Sequence, residues 1–238
     1  MFGKPNNCLE KQTFKRTATH TIGLMSEDLT PSVLAILRTM HPHYEKWFYT
    51  RELATLAKVS PWSVSRQFSK LVKDGIVKEK HEGMEKYYRL NVSDPKTCAL
   101  CQFFESERRE ALYKGNRRLS WALEEFSKRV LDFLPQTQCL VLYGSAARGE
   151  ITKTSDVDIL ALVPNLPQTQ FNELMKDVDK LAREVVATYP VNLAPITMAV
   201  QDFENALREK KRIAEDILRD GTILVGEDRY LRLLSKVI

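Results

Sequence analysis

The chain has 238 residues, 43% of them hydrophobic, with a formal net charge of +5 and four cysteines. That length admits one large domain or two small ones, and the apolar fraction excludes a disordered chain. No window nears the roughly 18 consecutive apolar residues of a membrane span, and the opening MFGKPNNCLEKQTFKR lacks the apolar stretch of a secretory signal, so a cytoplasmic protein with no membrane partner is expected.

The positive excess is local. Residues 1–94 hold 15 Lys plus Arg against 10 Asp plus Glu, and residues 95–238 hold 21 of each. Residues 1–26 show little periodicity and read as an N-terminal arm, a tail or a dimer-forming segment. A first helix starts at Thr30-Pro31, with Val33, Leu34, Leu37 and Met40 as its apolar stripe. Trp47-Phe48-Tyr49 reads as a short strand, and Thr50 can cap a second helix over residues 51–58. Ser60 followed by Pro61 opens a third helix, in which Val64, Phe68, Leu71 and Val72 form one buried face. Two strand-like runs follow, residues 76–80 and 87–90, joined around Gly83.

The polar stretch Asn91-Val92-Ser93-Asp94-Pro95 marks the domain boundary. A helical connector over residues 95–136 breaks near Gly115-Asn116 and stops at Pro135. It contains Cys98 and Cys101, a single C-x-x-C with no second pair at zinc-finger spacing. Residues three apart share a helix side, so helix packing is expected, with a metal or redox role as the alternative. From Thr137 short apolar strands alternate with amphipathic helices, an α/β texture. The elements are strands over residues 139–143 and 155–163, a helix over 168–188, a strand over 191–198, one helix over 200–218 and a terminal strand over 222–225. The run from Arg208 to Arg212 is basic, and reads as a solvated helix face or a nucleic-acid contact.

Within residues 27–94, three helices and a two-stranded hairpin resemble the winged helix-turn-helix superfamily of transcription regulators. The resemblance implies that the third helix enters the major groove of duplex DNA. Its outward face carries Trp62, Ser63, Ser65, Arg66, Gln67 and Lys70, and Ser60 with the free N–H groups of the helix start could hold a phosphate. The alternative is a solvated face on a module for dimerisation or protein contact. The hairpin weighs toward that alternative, because Glu79, Glu82 and Glu85 offset Lys78, Lys80, Lys86 and Arg89.

In residues 137–238, Gly144-Ser145 follows a strand, and ten residues later Asp156-Val157-Asp158 opens the next one. Asp156 and Asp158 are two apart on a strand, so their carboxylates share a face. Paired carboxylates repel unless a cation joins them, and oxygen ligands suit Mg²⁺. Gly144 allows close backbone approach, and Ser145 offers a hydroxyl and an N–H to a phosphate. Arg148 is expected beside phosphate or in a salt bridge with Glu150 or the long helices.

Gly-Ser, ten residues and Asp-x-Asp, extended through Arg148-Gly149 and Ser155, resemble the nucleotidyltransferase superfamily of DNA polymerase beta fold, in particular its minimal members. The resemblance implies that Gly144 and Ser145 hold a nucleoside triphosphate and that Asp156 and Asp158 hold Mg²⁺. It further implies transfer of a nucleoside monophosphate to an acceptor, here coupled to DNA binding. Members usually place a third carboxylate on a neighbouring strand, where this sequence offers Asn192 and Ala194 on one face. Asn192 is taken as the third position, with Glu184, Asp202 and Glu204 as nearby acids that could substitute. Two alternatives follow: a DNA-binding transcription regulator with a catalytically weak or silent nucleotide-sensing domain, and an antitoxin-like interaction module. The expected fold class is α+β in two domains, a winged helix-turn-helix followed by a small mixed-sheet nucleotidyltransferase domain, joined by long helices. The expected partners are duplex DNA, a nucleoside triphosphate, a second copy of the chain and a protein acceptor.

Overall fold

The computed structural model describes residues 29–152 and 155–238; the expected arm, residues 1–26, and Cys8 lie outside the described residues. The architecture is α+β in two compact units, one of residues up to His41 with Lys46–Phe104, the other of Pro42–Glu45 with Glu105–Ile238. No helix among the described residues is long and apolar enough to cross a membrane.

In the first unit, α1 (Pro31–Met40) starts on Thr30, whose hydroxyl accepts from Val33 N at 3.3 Å. It buries Val33, Ile36, Leu37 and Met40. β1 (Phe48–Tyr49) leads into α2 (Thr50–Leu56) and α3 (Pro61–Lys73). Thr50 does not cap α2 as expected. It is already the first helical residue, and its hydroxyl donates to Lys86 O at 3.0 Å instead. Ser60 does cap α3, accepting from Ser63 N at 3.1 Å. β2 (Val77–Glu82) and β3 (Glu85–Leu90) are longer than the sequence suggests and turn at Gly83, which has φ +61°. The three strands form an antiparallel sheet in the order β1-β3-β2. Its inner face carries Phe48 and Tyr88, fully buried with Phe68 of α3, whose ring lies 4.8 Å from that of Tyr88.

Asp94 caps α4 (Pro95–Gly115), accepting from Lys96 N and Thr97 N at 2.9 and 3.1 Å. The expected boundary at Asp94-Pro95 is thus where this helix begins, but the division between the units falls later, after Phe104. The first turns of α4 belong to the first unit because Thr97 donates to Ile76 O at 3.1 Å and Leu100, Cys101 and Phe104 are buried. Cys98 gives its thiol to Val92 O at 3.1 Å, which ties the helix to the loop before it, and Cys101 packs in the core.

α5 (Arg117–Phe133) starts on Asn116, which accepts from Leu119 N at 3.1 Å. It is not a mere connector. Leu119, Leu123, Phe126 and Val130 join the core of the second unit, together with Leu174, Val178 and Val185 of α7 (Gln168–Thr188). These helices cover one face of a mixed sheet of order β6-β5-β4-β7, built from β4 (Cys139–Leu142), β5 (Val157–Val163), β6 (Leu193–Ala199) and β7 (Thr222–Val225). β5 and β6 are parallel, and the other neighbours are antiparallel.

Alternation sends Leu140, Leu142, Val157, Ile159 and Ala161 into that core. α8 (Val200–Arg208) and α10 (Glu227–Val237) pack on the sheet as well, burying Phe203 against Tyr230 at 6.2 Å between ring centroids. The single helix expected over residues 200–218 is two. α8 ends in a Schellman turn, with Lys210 N donating to Leu207 O at 3.2 Å and Lys211 N to Ala206 O at 2.9 Å. Lys210 takes φ +51° at the turn, and α9 (Arg212–Asp220) follows.

Candidate functional site

The second unit gathers its polar motif at one end of the sheet. β4 and β5 are antiparallel, with Leu142 opposite Ile159, so the turn leaving β4 meets the start of β5. Tyr143 N donates to Asp158 O at 3.0 Å and anchors that turn. Gly144 follows at φ +71°, opening the one-turn helix α6 (Gly144–Ala147). A Cβ at position 144 would collide with the Asp158 carboxylate. Glycine is therefore required twice, by backbone conformation and by space.

β6 supplies the third side. Parallel pairing aligns Val157 with Leu193 and Asp158 with Ala194, which sets Asn192 beside Asp156. Val157 N donates to Asn192 O at 2.8 Å, and the Asn192 amide nitrogen donates to Asp156 Oδ1. Of the alternative acids, Glu184 is held by Arg129 at 2.9 Å, in the layer of α5 and α7. Asp202 lies in the first turn of α8, after the far end of β6, about 20 Å along the strand from Asn192. Glu204 is buried and pairs with Arg208 at 3.4 Å.

Burial, and then the charge of Asp156, hold the Asp158 carboxyl above the usual carboxylate range. Burial and the charges of Asp158 and Asp216 push the Tyr143 phenol up to about 12. Among the described residues, no group of three or more His, Cys, Asp or Glu could hold a metal ion. Two carboxylates still fit Mg²⁺, which keeps several waters and takes the rest of its oxygens from phosphates. The repulsion within the pair is what a divalent cation would relieve.

Residues 122–220 match the family model described as "Nucleotidyltransferase domain". The C-terminal half carries a nucleotidyltransferase domain. Over 93 residues the chain is 32% identical to a Methanocaldococcus jannaschii protein named "Putative protein adenylyltransferase MJ1305", covering 38% of this chain and 60% of that protein. The match begins within α5, in keeping with the place of that helix in the nucleotidyltransferase core.

Two details of the nucleotidyltransferase domain were not legible beforehand. Arg148 forms the salt bridge with Glu150 that the sequence offered as one alternative, at 2.8 Å, and the unforeseen part is its second bond, to Asp220, also at 2.8 Å. Asp220 lies at the end of α9, 72 residues along the chain. Burial raises its carboxyl, but hydrogen bonds from Arg219 and Arg148 win and hold it below the usual range. Nothing in the sequence around Asp220 marks it as a partner of Arg148. The second detail is a brace across that motif, where Thr152 N and the Thr152 hydroxyl meet the Ser155 hydroxyl at 3.1 and 2.7 Å. Ser145 O accepts from Glu150 N at 2.9 Å, closing the loop behind the turn.

In the first unit, α3 presents Trp62 at 69% exposure, with the Arg66 guanidinium 5.2 Å above its ring. Lys70 is exposed, and Ser63 and Ser65 are half-buried. Gln67 departs from expectation. Its amide turns inward to Ser32 of α1 at 3.1 Å, because position 67 lies next to the buried stripe of Val64, Phe68 and Leu71. In the second unit, Lys211 and Arg212 of the basic run pair with Glu209 at 2.9 Å and Asp216 at 3.7 Å.

Proposed function

We propose that the nucleotidyltransferase domain binds a nucleoside triphosphate as its Mg²⁺ complex and passes the nucleoside monophosphate to an acceptor hydroxyl, while α3 of the first unit binds duplex DNA. The observation that carries the nucleotide reading is the approach of the Asp158 carboxylate to the bare Cα of Gly144, with Asp156 beside it. Asp156 and Asp158 would hold the cation, and bound Mg²⁺ supplies charge neutralisation for the triphosphate oxygens. Gly144 lets the Asp158 carboxylate close onto the turn, and Ser145 offers its hydroxyl and N–H to a phosphate. The acceptor hydroxyl gives up its proton to water as its oxygen forms a bond to the α-phosphorus, the bond from that phosphorus to the bridging β-phosphate oxygen breaks, and pyrophosphate leaves. The name of the Methanocaldococcus relative points to protein as the acceptor and adenylate as the group, so ATP and protein hydroxyls are the first pair to assay.

Asn192 favours a second reading. An amide cannot accept the proton of the attacking hydroxyl, and its nitrogen is already committed to Asp156. Transfer would then be slow, and the domain would serve the chain chiefly as a nucleotide sensor for a DNA-binding regulator. Incubation of the whole chain with each labelled nucleoside triphosphate, Mg²⁺ and lysate separates the two. Labelled macromolecule supports transfer, and tight Mg²⁺-dependent binding without label supports sensing. Equal calorimetric heats with and without EDTA would overturn both. Asn192→Asp should raise transfer at least tenfold under the sensing reading, whereas wild-type turnover of about 1 per second or faster would refute it.

DNA binding through Trp62, Ser63, Ser65, Arg66 and Lys70, with Ser60 at the helix start, is supported by the exposed pairing of Trp62 and Arg66 on α3. A homodimer reading paired half-sites is the matching assembly, and sedimentation of the free chain and its DNA complex tests it.

A further inference from the structure

The outer face of the three-stranded sheet in the first unit carries a chemistry that the duplex-reading helix does not use. Register and alternation set Trp47, Arg89 and Lys78 in one row across the strands, and Tyr49, Tyr87 and Lys80 in the next. All six side chains are half-buried, so each shows part of itself to solvent. The Arg89 guanidinium lies 4.7 Å from the Trp47 ring centroid, and Lys80 Nζ lies 5.0 Å from Trp47 and 5.2 Å from Tyr87. The Tyr49 and Tyr87 rings are 5.6 Å apart. The inner face is the core, where Phe48 and Tyr88 are sealed.

The next row toward the hairpin tip is acidic and bounds this array. Glu85 accepts from the Tyr87 hydroxyl at 3.0 Å, and Glu82 pairs with Lys80 at 2.6 Å. The two acids hold the phenol and the ammonium in place, and they exclude phosphate from the tip itself. What remains is a patch of three rings interleaved with three cations. Scattered cations alone would suit any polyanion, and rings alone would suit an apolar partner. Rings and cations alternating at strand spacing fit a chain that carries both flat bases and phosphates.

We infer that this sheet face is a stacking platform for single-stranded nucleic acid, with bases on Trp47, Tyr49 and Tyr87 and phosphates on Lys78, Lys80 and Arg89. A duplex offers no free base faces, so this surface is distinct in partner from the exposed face of α3. The cations now lying over the rings would move out to the backbone as bases take their place. That exchange is favourable because base stacking on an aromatic ring outweighs a cation–π contact at an exposed site. The inference does not depend on the nucleotide site of the other unit.

The test uses the full chain with Trp62→Phe and Trp121→Phe, which leaves Trp47 as the sole tryptophan. Titration with a 20-nucleotide dT or rU strand should quench Trp47 fluorescence, and a blunt duplex of the same length should not. Tyr87→Leu, which keeps an apolar side chain of similar reach, should weaken strand binding about tenfold. Lys80→Gln with Arg89→Gln should weaken it and flatten its salt dependence by about two charges. Thermal melting of each variant separates lost binding from lost folding. Quenching by duplex alone, strand affinity unchanged in Tyr87→Leu, or strand binding abolished by Arg66→Ala would each overturn the assignment.

Discussion

Gly144 and Asp158 define the site at the scale of single residues, and each makes a prediction. Gly144→Ala adds a Cβ where Asp158 stands and forces a side chain into φ +71°. Strain of that kind costs about 1–3 kcal/mol, so denaturant unfolding should show a loss of that size and nucleotide binding should vanish. Asp158 makes the opposite prediction. Burial and Asp156 raise its carboxyl in the folded state, so the folded chain holds that proton more tightly than the unfolded one. The charged form therefore costs stability above the folded value, and acidification through that value recovers it. Asp158→Asn should raise the melting temperature of the EDTA-treated protein by roughly 1–3 °C while abolishing Mg²⁺-dependent nucleotide binding. A cation bound there would compete with the proton for the same carboxylate, so Mg²⁺ affinity should fall as pH drops toward the Asp158 value. A lower melting temperature for Asp158→Asn would show that neither the burial of its charge nor repulsion from Asp156 costs the folded chain stability.

Three helix ends illustrate how elements are decided. α2, α3 and α8 all stop in the same hydrogen-bonded turn, with a positive-φ residue at Lys58, Gly75 and Lys210. Gly75 announces the stop after α3 in the sequence. Lys58 and Lys210 do not, because lysine is an ordinary helix former and the left-handed conformation is imposed on it by the packing that follows. The amphipathic pattern continues past Lys210 in α9, which is why residues 200–218 read as one helix. Lys210→Gly should relieve the steric cost of that conformation, about 1–2 kcal/mol for a side chain, against a glycine entropy cost of about 0.5–1 kcal/mol. The expected net gain is about 0.5–1 kcal/mol, measured by denaturant unfolding. A loss of stability would mean that the Lys210 side chain contributes more by contact than it costs in backbone strain.

Across the whole molecule, the proposed functions lie in separate units, and this separation can be tested. Arg66→Ala should weaken duplex DNA binding about tenfold, the equivalent of one lost strong contact of about 1–3 kcal/mol, and leave triphosphate affinity unchanged. Replacing Asp156 and Asp158 together by Ala should do the reverse. If nucleotide and DNA are coupled through the chain, each ligand must change the affinity of the other by the same factor. Calorimetry of nucleotide into free protein and into its DNA complex measures that factor, and a ratio of one in both directions would leave two independent binding units.

The sequence by itself determined the features that rest on local chemistry. Ser60-Pro61 started α3, the alternation of Val157 and Ile159 against Asp156 and Asp158 fixed which face carries charge, and the Gly144-Ser145 spacing to the aspartates placed the polar motif. Each of these needs only bond geometry and a periodicity of two or 3.6 residues. Tertiary structure decided the rest. The pairing of Asp220 with Arg148 spans 72 residues, the contact of Asn192 with Asp156 depends on parallel register, and α5 became core when strands far along the chain gave its apolar stripe a surface to cover. Local pattern sets which face of an element seeks burial, but only the folded sheet sets which partner it finds.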